Sequence, residues 1–375
     1  MRLSPPLYYL VLALLAAAVP APAAPVRGWN FAVVSDPHGA GSVWRAALEE
    51  IRDGRANPPL PFSPAELIAV TGDMDPPSTH YGVFLKVFSF PASRPLFLPV
   101  IGNHGDENEP GELGYVRDAI IPALPGAVRR HGGSCDFYLD HRNARFIVVD
   151  AYTELGYKGV INSAGREWVE RAIVSAPPSV EHIFIFSHEP AFPRYRHLGS
   201  SFNADPRARD AFWRMLVRHR DRVRAFFAGH IHRYYRMRVR DPGGRAANDT
   251  SSFPDEEGGV WQVEDGAVGP GMTRTIVQVQ VDGERVNARA LQSGFWSPGS
   301  FSVKDQWTMD VTPAQGALRP ARSIGTNRFP SPSEGGGQPA RHRSRSGEAG
   351  GGVGKTTVES SRSKVKRAEK SHAQE

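Results

Sequence analysis

The chain has 375 residues, of which 40% are hydrophobic and 22% are charged. These are the proportions of a soluble globular protein with room for one large domain or two ordinary ones. Cys135 is the only cysteine, which excludes an intramolecular disulfide and a metal site built from thiolates. Any metal must therefore bind mainly to oxygen and nitrogen ligands.

The net charge of +6 is concentrated near the end of the chain. From Val311 onward there are twelve Lys or Arg against five Glu, a balance of +7, which leaves −1 for the preceding residues. The basic composition therefore says little about the surface of the predicted folded part.

The first residues have the pattern of a secretory signal. Arg2 precedes an apolar run from Leu7 to Val19, and small residues follow this run. We expect a signal peptide over residues 1–23, cleavage after Ala23, and export to the periplasm or the extracellular space. An uncleaved membrane anchor is the alternative, although this run is shorter than the roughly 20 apolar residues that span a bilayer comfortably.

Short apolar strands alternate with amphipathic helices after the signal. Such alternation indicates an α/β fold with a sheet buried on both faces, and ligands of such sheets collect beyond the carboxyl ends of the strands. We predict helices over Ser42–Ile51, Gly165–Val174 and Arg209–Val217. We predict strands over Phe31–Ser35, Glu66–Val70, Leu96–Ile101, Arg145–Asp150, His182–Phe186 and Val223–Phe227.

The pattern changes to alternating strands after Tyr234. We interpret these strands as an antiparallel section that closes a second sheet. From Pro313 onward Gly, Ser, Pro and basic residues dominate, so residues 313–375 are predicted to be a disordered tail and residues 24–312 the folded domain. The alternating strands are expected over Arg236–Val239, Val260–Val263, Thr275–Val281 and Val286–Leu291.

Five of the predicted strands end in side chains that suit a metal site. The sequence Gly229-His230-Ile231-His232 is the clearest case, because alternation puts both histidines on one side of an extended backbone. In chain order the strand-end candidates are Asp36, His38, Asp73, Asn103, His104, His188, His230 and His232.

In this order the motifs resemble those of the calcineurin-like metallophosphoesterase family. The family pattern is DxH, GD, GNH followed by an acid, a lone His, and GHxH, and the similarity runs from about Phe31 to Leu291. The resemblance implies a four-layer α/β/β/α sandwich of two mixed sheets. It also implies two metal ions bridged by Asp73, one held by Asp36, His38 and His232, and the other by Asn103, His188 and His230.

The resemblance further implies an enzyme that hydrolyses a phosphomonoester or a small phosphodiester by attack of a hydroxide that bridges the two metal ions. The ions are expected to be Mn, Fe, Zn or Co, because histidine, asparagine and carboxylate ligands suit all four. His104 would bind a phosphoryl oxygen or protonate the leaving group.

One departure from the family pattern concerns the acid after His104, which orients that histidine. Gly105 occupies this position, and Asp106 follows it. We predict that Asp106 takes over, since Gly105 is flexible enough to permit the shift; otherwise His104 is held less well. A metal-binding protein of the same fold without turnover, or a scaffold protein, is therefore the alternative function.

Ser134 to Asp150 resembles a segment of purple acid phosphatases and of cyclic-nucleotide phosphodiesterase-like members. Purple acid phosphatases have a tyrosine three residues after the bridging aspartate, and Pro76 occupies that position here, so a tyrosinate-bound ferric ion is not expected. Arg194 and Arg196 follow His188 closely enough to contact a substrate, or else belong to a solvated loop.

The expected partner is a small phosphate-ester substrate. The basic tail could contact an anionic polymer or lipid by simple electrostatics, or be solvated and dispensable. A specific nucleic-acid partner is not expected, because the tail has no interleaved aromatic residues beyond Phe329 on which bases could stack.

Overall fold

The computed structural model of this chain describes residues 28–55, 64–104, 106–152, 156–157, 159–243, 255–269, 273–294, 296–297 and 299–309. The chain divides into the units Met1–Ala317 and Leu318–Glu375, and all of the described residues belong to the first. The predicted signal peptide and basic tail lie outside the described residues. Within the described ranges, no helix has the length and apolar character needed to cross a membrane.

The described chain contains fifteen strands and five α-helices. The strands are β1 (Trp29–Val34), β2 (Leu67–Val70), β3 (Leu96–Pro99), β4 (Val128–Arg129), β5 (Phe137–His141), β6 (Ala144–Val148), β7 (Gly156–Tyr157), β8 (Val160–Ile161), β9 (His182–Phe186), β10 (Val223–Ala228), β11 (Tyr234–Val239), β12 (Val260–Asp265), β13 (Thr273–Asp282), β14 (Arg285–Gly294) and β15 (Ser302–Thr308). The helices are α1 (Gly41–Asp53), α2 (Pro77–Val87), α3 (Pro110–Tyr115), α4 (Ser163–Val174) and α5 (Pro206–Arg218).

Two mixed sheets contain most of the strands. The first has the order β15-β14-β13-β1-β2-β3, in which β1, β2 and β3 are parallel and β13 pairs antiparallel with β1. The second has the order β11-β12-β10-β9-β6-β5-β4, in which β6, β9, β10 and β12 are parallel. A separate ribbon joins β7 to β8.

The two sheets pack face to face through aromatic side chains. Phe31 of the first sheet contacts Phe146, Phe184 and Phe227 of the second, with ring centroids 5.2, 4.8 and 6.2 Å away. Each of these residues is fully buried. Because side chains alternate along a strand, the intervening residues of the second sheet face the opposite way, and there Ile185 packs with the buried residues of α4 and α5.

Local sequence signals explain where the helices begin and end. The side chain of Asn162 accepts a hydrogen bond from Gly165 N at the start of α4, and Asp205 accepts from Arg207 N and Ala208 N at the start of α5. Such caps satisfy amide groups that have no partner within the helix. Helix α1 ends at Gly54, whose φ of 61° is in the left-handed region that glycine adopts readily.

These layers confirm the predicted four-layer α/β/β/α sandwich of two mixed sheets. One detail of the prediction is wrong: the strands after Tyr234 do not close a single sheet. β11 and β12 extend the second sheet, with β12 parallel to β10, whereas β13 and β14 extend the first. Alternation shows that a segment is a strand, but it does not show which neighbour the strand pairs with.

Candidate metal centre

The predicted ligands meet at the carboxyl ends of parallel strands from both sheets. Three loops, after β1, β2 and β3, belong to the first sheet, and two, after β9 and β10, belong to the second. Positive φ angles between 43° and 66° occur at five of these residues: Asp36, His38, Asp73, His230 and His232. Such strained backbone conformations persist only when the surrounding structure determines them, and they cluster at functional sites.

The first group of ligands contains Asp36, His38 and His232. The Nε2 atoms of the two histidines are 3.1 Å apart, and His232 Nε2 is 3.2 Å from Asp36 Oδ1. Metal–nitrogen and metal–oxygen bonds of about 2.0–2.2 Å place neighbouring ligand atoms roughly 3 Å apart. The three side chains therefore have the spacing needed to hold one ion, together with Asp73, whose carboxylate is also within reach.

The second group contains Asn103, His188 and His230. Asn103 Oδ1 lies 2.9 Å from both His188 Nε2 and His230 Nδ1, and these two nitrogens are 3.2 Å apart. His188 and His230 are buried, whereas Asn103 is exposed. These three donors also converge at the spacing of ligands around one ion.

Asp73 lies between the two groups. Its Oδ1 is 3.4 Å from His188 Nε2 in the second group, and its Oδ2 is 3.9 Å from His38 Nε2 in the first. Oδ1 also accepts hydrogen bonds from Asn103 N and His104 N. A single carboxylate thus faces both groups, as a bridging ligand must.

The histidine nitrogens that face away from the ligand groups have acceptor partners. His188 Nδ1 lies 2.7 Å from the carbonyl oxygen of Thr71, which can only accept, so Nδ1 carries a proton and Nε2 is the nitrogen that faces Asn103 and Asp73. His38 Nδ1 likewise contacts Asp75 Oδ1 at 3.1 Å, which leaves its Nε2 for a ligand bond. These partners fix the ring orientation of metal-binding histidines.

Buried carboxylates and histidines interact strongly at the site. Burial opposes ionisation of His188, but Asp73, Asp36 and Glu189 outweigh it and raise the pKa of this histidine to about 9. Burial also opposes the charge on Asp36, yet the hydrogen bond with His232 and the charge on His188 hold its pKa well below the usual range. Carboxylates that favour a cation this strongly suit a pair of metal ions, so the residues present fit the expected ligands.

His104 is oriented by Asp75, a residue that the sequence analysis missed. His104 Nδ1 lies 2.9 Å from Asp75 Oδ2, and the other oxygen of this carboxylate contacts His38. Asp106 belongs to a short 3₁₀ helix, and its side chain is outside what the structure describes. Its role in orienting His104 therefore stays a prediction. The signal for Asp75 was a second acid two residues after Asp73.

Glu107 lies three residues after His104, but no contact joins its side chain to His104 among the described residues. Its Oε2 accepts hydrogen bonds from Gly102 N at 2.8 Å and Asp73 N at 3.0 Å. Burial and the nearby Asp73 raise its pKa to about 8. Glu107 therefore joins the β2 and β3 loops from behind, and among the described side chains Asp75 is the carboxylate that contacts His104.

Two glycines of the motifs lie so close to other residues that there is no room for a Cβ atom. A Cβ atom on Gly72 would clash with the His188 ring, and one on Gly102 would clash with Asp73. Gly72 also has a φ of 99°, which side-chain-bearing residues rarely adopt. Gly72 therefore allows close approach between the two sheets, and Gly102 allows it between the β2 and β3 loops.

Two further residues in contact with His230, His197 and Glu189, were not predicted from the sequence. The half-buried ring of His197 lies over His230, with centroids 3.9 Å apart. On another side, His230 Nε2 is 3.3 Å from Glu189 Oε2, and Tyr152 donates a hydrogen bond to Oε1 of the same carboxylate. Both lie in loops, where no periodic pattern marks a side chain as pointing toward the ligands.

The open side of the centre is formed by half-exposed or exposed side chains. The His104 side chain is 43% exposed and that of His232 is 23% exposed. Arg194 is half-buried and stacks on the ring of Tyr235 at 4.0 Å, whereas Arg196 is exposed. The centre is therefore accessible to solvent beside His104 and His232.

Comparison with known proteins agrees with this geometry. Residues 30–234 match the model of the calcineurin-like phosphoesterase family, and the chain belongs to that family. No curated protein matches it by sequence.

Among solved structures, the purple acid phosphatase PPD1 from yellow lupin (Lupinus luteus) seeds is similar in fold, with a TM-score of 0.52 and 13% identity over 76% of this chain. The match covers 54% of the lupin protein, so this chain spans about half its length. A dimetal phosphatase from Danio rerio has a TM-score of 0.48 and 14% identity over 77% of this chain and 100% of its own.

Proposed function

We propose that this protein is a metal-dependent phosphoric ester hydrolase acting on a phosphomonoester or a small phosphodiester. The observation that carries the proposal is the convergence of two ligand groups on Asp73 beside the exposed ring of His104. Membership of the calcineurin-like phosphoesterase family supports the same reaction class. The ligand set suits Mn, Fe, Zn or Co.

The residues divide into metal-holding and proton-transferring groups. The two ligand groups and Asp73 would hold two ions, which when bound activate a water molecule and neutralise charge on the phosphoryl group. His104 Nδ1 is held by Asp75, so its Nε2 faces the centre, 3.7 Å from Asp73 Oδ2. From there it can bind a phosphoryl oxygen and protonate the leaving alkoxide, while Asp75 stabilises the charged ring.

His197 extends this arrangement on the opposite side. Its ring lies against His230, and its Nε2 is buried without a hydrogen-bond partner among the described residues. The half-buried ring of His197 therefore borders the second ligand group beside His230.

The test is hydrolysis of p-nitrophenyl phosphate and bis(p-nitrophenyl) phosphate after metal removal and addition of Mn, Zn, Fe or Co. We expect metal-dependent turnover that is lost in Asp73→Asn, falls at least tenfold in His104→Ala, and persists in Asp118→Asn, which alters an exposed carboxylate. The preferred ester distinguishes a monoesterase from a diesterase. Two bound metal ions without turnover of any ester would instead support the non-catalytic alternative.

We also propose that the protein is exported, since Arg2 and the apolar run from Leu7 to Val19 have the pattern of a secretory signal. Sequencing the amino terminus of the protein recovered outside the cytoplasm should give Ala24 first. Retention of Met1 on protein that remains with the membrane would support the uncleaved anchor instead.

A further inference from the structure

Tyr195 and Arg233 lie beside the candidate metal centre, on two different loops. Tyr195 is two residues before His197, whose ring contacts His230, and Arg233 directly follows His232. Consecutive Cα atoms are about 3.8 Å apart, so Arg233 begins next to a ligand, and Tyr195 belongs to the loop whose His197 contacts His230. Both residues therefore lie on loops that adjoin the ligand groups.

The two side chains contact each other across the loops. The guanidinium carbon of Arg233 is 5.3 Å from the centroid of the Tyr195 ring, and that of Arg194 is 4.9 Å from it. Tyr235 meets the same ring edge to face, at 6.4 Å and 83°. Cation–π and edge-to-face contacts of this kind fix the position of an aromatic ring without burying it.

Tyr195 is nevertheless 51% exposed, and its backbone φ is 74°. Left-handed backbone is a genuine outlier for a bulky residue, and such strain is found at ligand clamps more often than in ordinary loops. A ring with this much exposed surface adds little to the core. The combination of a fixed position, strain and exposure beside the centre points to contact with a ligand.

We propose that Tyr195 and Arg233 form the subsite for the alcohol part of the substrate, and that this part carries a planar aromatic ring, as in a nucleoside phosphate. A phosphoryl group at the metal centre would place the rest of the ester on the side where the centre opens. A planar ring stacks on the exposed surface of tyrosine, and the flat guanidinium of Arg233 holds the Tyr195 ring in position. An aliphatic alcohol would gain no such stacking contact. This inference rests on the proposed hydrolase function.

The experiment compares two esters that share one leaving group. Adenosine 5′-monophosphate and ribose 5-phosphate present the same 5′-oxygen to the reaction and differ in the base. Base stacking is worth about 1–3 kcal/mol, so we expect kcat/KM of the metal-loaded full chain to be about 5- to 150-fold higher for the nucleotide. Tyr195→Ala should lower kcat/KM for the nucleotide by about tenfold and leave the value for ribose 5-phosphate within twofold.

Matched variants separate stacking from other effects. Tyr195→Phe keeps the ring and should keep the preference, and Arg233→Gln should reduce the preference more weakly than Tyr195→Ala. Phe90→Ala removes another exposed ring, 77% exposed, at the opposite end of β3 and should change neither ester.

The outcomes distinguish this inference from the proposed function. Turnover of p-nitrophenyl phosphate without a preference for the nucleotide, or an equal loss for both esters in Tyr195→Ala, would overturn the aromatic subsite alone. Absence of turnover with every ester would overturn the hydrolase function itself.

Discussion

Three histidines of the two ligand groups have a neighbouring acceptor on the nitrogen that faces away from their group. His188 donates to the Thr71 carbonyl, His38 contacts Asp75, and His230 Nε2 is 3.3 Å from Glu189. Such partners select the tautomer and raise the basicity of a ligating ring. The partners, as much as the candidate ligands, would therefore decide how firmly each metal ion is held.

Glu189→Gln tests whether the partner of a ligand histidine affects the affinity for metal. The amide keeps the size of the side chain and an acceptor oxygen but removes its charge behind His230. We expect the affinity of the second ligand group for metal to fall about 10–100-fold, while the affinity of the first group, with Asp36 and His38, stays the same. Stepwise titration of Co²⁺ into metal-free protein, followed by its visible absorption, measures the two sites separately.

Glu167→Gln is the matched control, because Glu167 is 63% exposed on α4, and it should leave both titration steps unchanged. Equal weakening of both sites in Glu189→Gln would mean that Glu189 supports the fold in general. No weakening would mean that its contact with His230 has no effect on the ligand.

At the scale of elements, a buried carboxylate joins β5 to β6. Asp136 directly precedes β5, and its Oδ1 accepts a hydrogen bond from Asp150 N, just beyond β6. Ser134 donates to Oδ2, and Arg130 lies 3.7 Å away. Burial and the neighbouring Asp150 raise the pKa of Asp136 to about 7.

This shift predicts a pH dependence of stability. The folded pKa of Asp136 lies above the ordinary value of 3.8, so between about pH 4 and 7 the folded state binds more protons than the unfolded state. The free energy of unfolding therefore falls as pH rises through that window. Asp136→Asn removes the titration but keeps the hydrogen bond from Asp150 N, so the variant should gain stability relative to wild type as pH rises, by on the order of a few kcal/mol.

Urea unfolding of metal-free wild type and Asp136→Asn at pH 5, 6, 7 and 8 measures this difference. Comparing the two proteins at each pH cancels the other titrating groups. Asp118→Asn, at an exposed carboxylate, should show no such trend. A difference between Asp136→Asn and wild type that is constant over the whole pH range would contradict the raised pKa.

The elements were predictable where a short-range pattern defines them. The strand over His182–Phe186 has the predicted bounds, and Trp44, Leu48 and Ile51 form the buried face of α1 as their spacing indicates. Helix α2 was missed because its apolar residues are not confined to one face, and β12 was assigned without its parallel partner. Strand pairing depends on contacts between distant residues, which periodicity does not contain.

The candidate ligands were predictable for the same reason. Each of them follows an apolar strand within a few residues, so position along the chain indicates position at the sheet edge. Asp75, Glu189 and His197 lack that signal, because their roles depend on which loops meet in space. Sequence therefore indicates the ligands better than the residues that orient them.

At the scale of the whole molecule, the centre connects the two sheets. Asp36, Asp73 and Asn103 follow strands of the first sheet, whereas His188 and His230 follow strands of the second. Each ligand group thus draws on both sheets, and the metal-binding geometry exists only when the sheets are packed together. Metal binding and folding are therefore expected to be coupled.

This coupling predicts that metal ions raise the thermal stability of the protein. An ion that binds only the folded state adds about 2.7 kcal/mol to the free energy of unfolding when its free concentration is 100 times its Kd, which corresponds to a rise in Tm of several degrees. Calorimetry in chelator and after addition of Mn²⁺ or Zn²⁺ measures the shift, which Asp118→Asn should preserve.

Asp73→Asn should lose most of this shift in Tm. His232→Ala, at a half-exposed ligand, should reduce the shift if Asp73→Asn fails to fold. A shift of equal size in the ligand variants would place the bound metal elsewhere, and no shift in wild type would contradict binding across the two sheets.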